Sequence, residues 1–252
     1  MSTSMLALNA KTTSIDYVTV LLQYAQQHGI EAEQLLTAAN IDAKILEQSS
    51  SYISTEQYQA LVETAIQLLQ QPSLALALGQ HQHLATHGAL GYAIMSASSI
   101  EQALNLVTRF IRTRSHLIRF NFFFADDYAV TQIDVRHPMD HLYKHCVEIA
   151  FSCIVSICHS LTQKQQQPCL IKVKYAQPSY HETYENMFLT AGQFNAPINE
   201  LRIPLSWFEG VSLIGNPVFA ELAQKQCEEL LLSLENQNSL SEQVQAILRH
   251  SA

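Results

Sequence analysis

Glycine and proline are scarce in this chain, seven of each in 252 residues, and there is a single tryptophan. So little glycine excludes a collagen-like chain and argues against a propeller or a glycine-rich nucleotide-binding fold. Charge is thin as well: 14% of the residues are Asp, Glu, Lys or Arg, where a globular chain usually carries about a quarter. The chain's 25 glutamines supply much of the missing polarity. Basic residues number 14 against 22 acidic ones, a net charge of −8, which disfavours direct binding to a phosphate backbone. The five cysteines form no C-x-x-C pair, and without a secretion signal they read as reduced, mostly buried thiols with no disulfide. The longest apolar run, Val147 to Cys158, contains Glu148 and two serines and falls short of the roughly 20 residues a bilayer requires. The opening MSTSMLALNAKTTS has neither the basic start nor the apolar run of a signal peptide, so a cytoplasmic chain with no membrane partner is expected.

What is present is an ordered, 48% hydrophobic sequence, enough for one large core or two modest ones. Ile15 to Gln27 carries Val18, Leu21, Leu22 and Ala25 at helical spacing and stops at His28-Gly29. A short helix is expected over Glu31 to Ala39. Ser54-Thr55-Glu56-Gln57 resembles a capping box that opens a helix ending before Pro72, and Ser73 to Gln80 starts another. Two helices follow His87-Gly88, the second starting at Ser98 or Ser99. The period then changes from 3.6 to 2 over His116 to Phe124 and Tyr128 to Arg136, joined by Ala125-Asp126-Asp127 as a hairpin. Met139 to Gln163 reads as a long central helix. A strand over Leu170 to Tyr175, a helix over Tyr180 to Phe188 and one or two strands between Phe194 and Ile203 come next. A helix from Asn216-Pro217 to about Leu234 and a last one from Ser239 complete the chain. This order implies an α+β fold in which a helical N-terminal part packs on a small, mainly antiparallel sheet flanked by helices. The expected parts are residues 1–86, 87–235 and a final helix over 236–252, within one compact unit.

Several strings then fall in a recognisable order. Gly88-Ala89-Leu90-Gly91-Tyr92-Ala93 is followed by Ser96, Ile100, Ala103 and Leu104, then the hairpin. Pro178-x-Tyr180-x3-Tyr184-x3-Phe188 leads to Phe194-Asn195-Ala196 and Asn199-x-Leu201-x-Ile203-Pro204. Together they resemble the N-terminal effector-binding domain of AraC-type transcriptional regulators, in the branch with an "arabinose-binding" type domain, over roughly Ile15 to Leu234. The resemblance implies a non-enzymatic sensor with a small-molecule effector and no cofactor. It also implies a homodimer, a fold other than the cupin barrel, and DNA contact only through a C-terminal helix-turn-helix domain that these 252 residues do not include.

Candidate chemistry is sparse. His81, His83 and His87 lie within seven residues, and His141, His145 and Glu148 fall at spacings of four and three. Each set could be a metal site, but simple polar side chains fit at least as well, and no metal is expected. Arg109, Arg112, Arg114 and Arg119 could pair with an anionic ligand, form a solvated face, or pair with the acidic N-terminal part. Phe120, Phe122 and Phe124 alternate as one face of a strand that could wall a pocket. No G-x-S-x-G elbow or P-loop occurs; Gly210-Val211-Ser212-Leu213-Ile214-Gly215 has the wrong spacing, and His145 and Cys146 are adjacent on a helix and cannot form a dyad. The ligand-binding candidates are Tyr92, Arg109, Arg112, Phe120, Phe122, Tyr143 and His145. The rival expectation is a ligand-free dimerisation module, using the stripe Phe219, Leu222, Cys227, Leu230 and Leu231.

Overall fold

Local signals set the helix starts. The Ser54 hydroxyl accepts from Gln57 N at 3.1 Å while Gln57 Oε1 accepts from Ser54 N at 3.0 Å, the reciprocal capping box expected of that string. Ser99 caps the helix of Ile100–Phe110 by accepting from Gln102 N. At the other end of the first helix, Gly29 takes φ +82, the left-handed conformation that suits glycine past a helix terminus.

The computed structural model describes residues 9–48, 50–136, 140–163, 167–209 and 216–250. The string Gly210 to Gly215, the side chain of His141 and those of 237–250 lie outside the described residues. The elements in order are β1 (Lys11–Ser14), α1 (Ile15–Gln27), α2 (Ala32–Ala38), β2 (Tyr52–Ser54), α3 (Thr55–Leu69), α4 (Leu74–His81), α5 (Ala89–Met95) and α6 (Ile100–Phe110). There follow β3 (Ile118–Ala125), β4 (Tyr128–Val135), α7 (Asp140–Thr162), β5 (Leu170–Lys172), α8 (His181–Phe188), β6 (Asn199–Pro204) and α9 (Pro217–His250).

Strands β3, β4, β6 and β5, in that spatial order, form an open antiparallel sheet. The architecture is therefore α+β, with no closed barrel among the described residues. The β3–β4 hairpin turns through Asp126-Asp127, with Asp126 at φ +53. A second, two-stranded sheet of β1 and β2 was not expected; its strands are three and four residues long, too short to show a period. At the C-terminus the structure joins the two expected helices into one, Pro217–His250. The intervening Glu235-Asn236-Gln237-Asn238-Ser239 contains no glycine or proline, and Asn or Ser inside a helix costs only about half a kcal/mol.

Helix α7 is the centre of the molecule. The apolar run Val147 to Cys158 extends into 23 helical residues, and Leu142–Thr162 is long and apolar enough to cross a membrane by length and composition. Its position accounts for that composition: Val147, Phe151 and Val155 are buried in a core cluster that runs from Ile15 to Cys227. One side faces α4, where a Cβ on Gly79 would lie 2.2 Å from Ser152 Oγ, so only glycine allows the two helices to approach this closely. Another side faces β4 and β6 of the sheet. Helix α9 lies outside α5 and α6, anchored by Ala223 and Cys227.

Candidate functional site

Between α7, α6 and the inner face of β3 the core is hollow. A first chamber of about 100 Å³ is walled by Leu90, Ile94, Val107, Phe120, Ile149 and Ile154. A second of about 100 Å³ extends toward the sheet, bounded by Leu104, Phe122, Ala129, Leu161 and Ile203. Ile94, Val107, Ile154 and Ile157 line both and form the partition between them. Among the described residues no Asp, Glu, Lys or Arg lines either chamber.

The first chamber has a polar end, built by β1, α1, α3 and the turn before α5. Tyr17 Oη lies 2.8 Å from His87 Nδ1, and His87 Nε2 lies 3.5 Å from Cys153 Sγ. The Cys153 thiol donates to Gln82 O at 3.6 Å. Tyr58 Oη lies 3.1 Å from His145 Nε2, and His145 Nδ1 and Thr13 Oγ1 are buried without a hydrogen-bond partner. Every titratable group here is held neutral. Burial pushes His87 and His145 down to about 4, helped by Arg114 and Lys144 respectively. Burial also lifts the Cys146 and Cys153 thiols to about 12 and raises the phenols of Tyr17 and Tyr58. Behind this end sits Arg114, 5% exposed, ion-paired to Asp16, donating to Thr86 O at 3.1 Å and lying 5.6 Å from the Tyr17 ring centroid.

The expected site residues separate into groups. Phe120 lines the first chamber and Phe122 the second, their rings stacked at 5.5 Å. His145 stands one residue behind the wall, through Tyr58. Tyr143 instead accepts from Asn199 Nδ2 at 2.6 Å, away from the cavity lining. Tyr92 is 58% exposed on α5 and faces Phe219 and Leu222 of α9 across an open groove. Arg109 pairs with Glu228 of α9 at 3.1 Å, and Arg112 lies 4.0 Å from Glu235 in a shallow cleft shared with Arg119 and Arg136.

The histidine sets do not converge either. His81 and His83 are exposed while His87 is buried. His145 faces α3, whereas Glu148, three residues on, accepts from Tyr180 and Tyr184 on the far side of α7. No cluster of three metal-binding side chains occurs among the described residues. Sequence reasoning missed Thr13, Tyr17 and Tyr58; it placed His87 only in a metal set, and Arg114 only within the arginine cluster, for which an ion pair with the acidic N-terminal part, here Asp16, is one expectation. Tyr58 carried a usable signal, since it precedes Leu61 and Val62 by three and four positions on the apolar side of α3.

Comparison with known proteins agrees with this architecture. A family model described as the arabinose-binding domain of AraC transcription regulators, N-terminal, matches residues 29–210. The ornithine utilization regulator of Pseudomonas aeruginosa is 24% identical over 243 residues, 96% of this chain and 72% of the relative. The crystal structure of the transcriptional regulator CdpR from Pseudomonas aeruginosa superposes with a TM-score of 0.54 at 18% identity. That match covers 76% of this chain and 59% of the CdpR chain, so this chain spans less than two thirds of that solved relative, and at such identity the likeness speaks for the fold. The relatives are transcriptional regulators rather than enzymes. With the family model covering well over half of its length, the chain belongs to the family of N-terminal arabinose-binding domains of AraC-type transcription regulators.

Proposed function

We propose that this chain senses a small organic effector held in the two-chambered cavity, and that α9 carries the result toward a separate DNA-reading domain. The observation that supports this reading is the hollow itself: an apolar space within the core with hydroxyl groups at one end. Small-molecule sites have this composition, apolar walls with a few convergent polar groups. The route to α9 is short. Val107 and Ile111 wall the first chamber, while Arg109 and Arg112 on the same stretch of chain pair with Glu228 and Glu235 of α9. An occupant that fits better when α6 stands farther from α7 favours that arrangement, and α9 moves with it; only such differential affinity shifts the balance.

The named relative concerns ornithine utilization. A cationic amino acid would meet no charged side chain in this cavity, so we assign the effector here to another chemical class. We further propose a cytoplasmic homodimer. The exposed apolar residues Tyr92, Met95, Phe219 and Leu222 around the α5–α9 groove favour self-association on that face.

A thermal-shift screen of small organic compounds on the purified chain tests the sensor reading. A ligand at a hundredfold its Kd adds about 2.7 kcal/mol, a rise of about 5–10 °C for a domain of this size. Ala150→Leu, which fills the first chamber, is expected to abolish the rise. A ligand response unchanged by that substitution would remove the cavity from the argument.

A further inference from the structure

Two linked sets of polar side chains stand at the end of the first chamber. The Cys153 thiol proton goes to Gln82 O, so Sγ is left to accept from His87 Nε2–H, and His87 Nδ1 accepts from the Tyr17 hydroxyl. That relay is satisfied internally and asks nothing of a ligand. Tyr58 and His145 are different. A neutral imidazole carries one proton; on His145 Nδ1 it would be a buried N–H with no acceptor, because that atom has no partner. On Nε2 it is donated to Tyr58 Oη, 3.1 Å away. Buried N–H groups without an acceptor are rarer than buried lone pairs without a donor, which favours the second arrangement. It frees the Tyr58 hydroxyl proton for an acceptor inside the chamber that Tyr58 lines. Thr13 supplies a second hydroxyl on the same chamber, 1% exposed and with no partner for its oxygen.

Thr13 and Tyr58 therefore offer two hydroxyl donors to one small space, beside Ser115, whose oxygen already accepts from Leu117 N at 3.2 Å, and the Gln82 amide, and no fixed charge lies on the lining. Arg114, the cation nearest this end, is outside the lining and already paired with Asp16 and Thr86 O. An ionic group lying within either chamber would leave its hydration shell with no counter-charge on the lining to meet; Arg112, Arg119 and Arg136 line a separate cleft that shares Ile111, Ile118 and Phe120 with the first chamber. The remaining surface is aliphatic and aromatic and continues past Ile94, Val107, Ile154 and Ile157 into the second chamber. An apolar cavity of about 150 Å³ accommodates benzene, so one chamber holds a small head group and both together hold about eight to ten heavy atoms once the partition turns aside.

We propose that the occupant is an uncharged, largely apolar molecule whose single carbonyl-type oxygen accepts from Thr13 and Tyr58 while its tail crosses into the second chamber. This rests on the effector reading above and narrows it to neutral ligands.

The test titrates the purified 252-residue chain with 2-octanone, octanoate and octylamine, followed by calorimetry and thermal unfolding. The ketone is expected to bind saturably and at least about tenfold more tightly than either charged analogue. Thr13→Val and Tyr58→Phe are each expected to weaken ketone binding by about three- to tenfold, whereas Thr13→Ser, which keeps the hydroxyl, retains wild-type affinity. Octanoate or octylamine binding as well as the ketone overturns the neutral-ligand assignment and leaves the sensor reading standing. Ketone affinity unchanged in both Thr13→Val and Tyr58→Phe overturns the acceptor assignment, the hydroxyls then being served by water alone. Failure of all three compounds to bind, with Ala150→Leu raising stability as a plain cavity-filling change, takes down the sensor reading and this inference together.

Discussion

Glu148 offers a quantitative check on how the centre of this fold is built. Its side chain is 2% exposed in the middle of α7, where it accepts from Tyr180 at 2.9 Å and from Tyr184, which also shares a hydrogen bond with Tyr175. Burial raises the carboxyl from its ordinary 4.5 to about 7, against the opposing pull of the two phenols and of Lys144. The unfolded chain gives up this proton near 4.5 and the folded one near 7, so between those values the folded state holds more protons and stability falls as pH rises. The displacement corresponds to about 3 kcal/mol, fully felt by pH 8 and absent below about pH 4.5. Glu148→Gln keeps an acceptor oxygen for the tyrosines and cannot ionise. Urea unfolding at a series of pH values from 4.5 to 8 can be followed by the single, fully buried Trp207. The variant is expected to gain on the wild type as pH rises, by about 3 kcal/mol at pH 8 relative to pH 4.5. A stability difference that stays flat across the series would refute the buried-carboxyl argument.

Acid should act through different groups. Burial depresses His87, His116 and His145 from 6.5 to about 4, so their contribution is present above pH 6.5 and is lost as pH falls toward 4, up to about 3 kcal/mol each; native Trp207 fluorescence persisting at pH 4 would contradict this. Gly91→Ala would place a Cβ 1.7 Å from Leu84 O and is expected to prevent folding, whereas Gly29→Ala, with open space but φ +82, should cost only about 1 kcal/mol; circular dichroism melts distinguish the two. Arg114→Met removes a buried guanidinium whose partner Asp16 is half-exposed and leaves Thr86 O without its donor, and should cost about 1–3 kcal/mol, while Arg109→Ala, whose partner Glu228 is also exposed, should cost under about 1 kcal/mol by denaturant titration.

Much of the fold was legible because its signals are local. The Ser54 capping box, the stop at His28-Gly29, the change of period at the hairpin and the continuous apolarity of α7 each depend on neighbours within one or two turns. Where sequence reading failed, the competing cause was equally specific. β1 and β2 owe their pairing to each other and to Ser115, more than 60 residues from β2. The join within α9 turned on weak breakers that a helix tolerates.

The site was less legible. Phe120 and Phe122 could be singled out by strand alternation, and both line the cavity, but Arg109, Arg112 and Tyr92 were chosen for their chemistry and lie on the α9 side of α5 and α6. Spacing along a helix says which residues share a face, not what that face meets. Arg114, one of four arginines within eleven positions, is the buried one because α1 brings Asp16 against it and Gly88 leaves room for its guanidinium, 3.2 Å from where a Cβ would stand.

By itself, then, the order of residues determined the class of fold, the central helix and the family, because periodicity, caps and punctuating residues are properties of short stretches. Only the tertiary structure decided where the hollow lies and which hydroxyls reach it. Thr13, Tyr58, His87 and His145 come from β1, α3, the turn before α5, and α7, and a cavity exists only as the space such distant segments fail to fill.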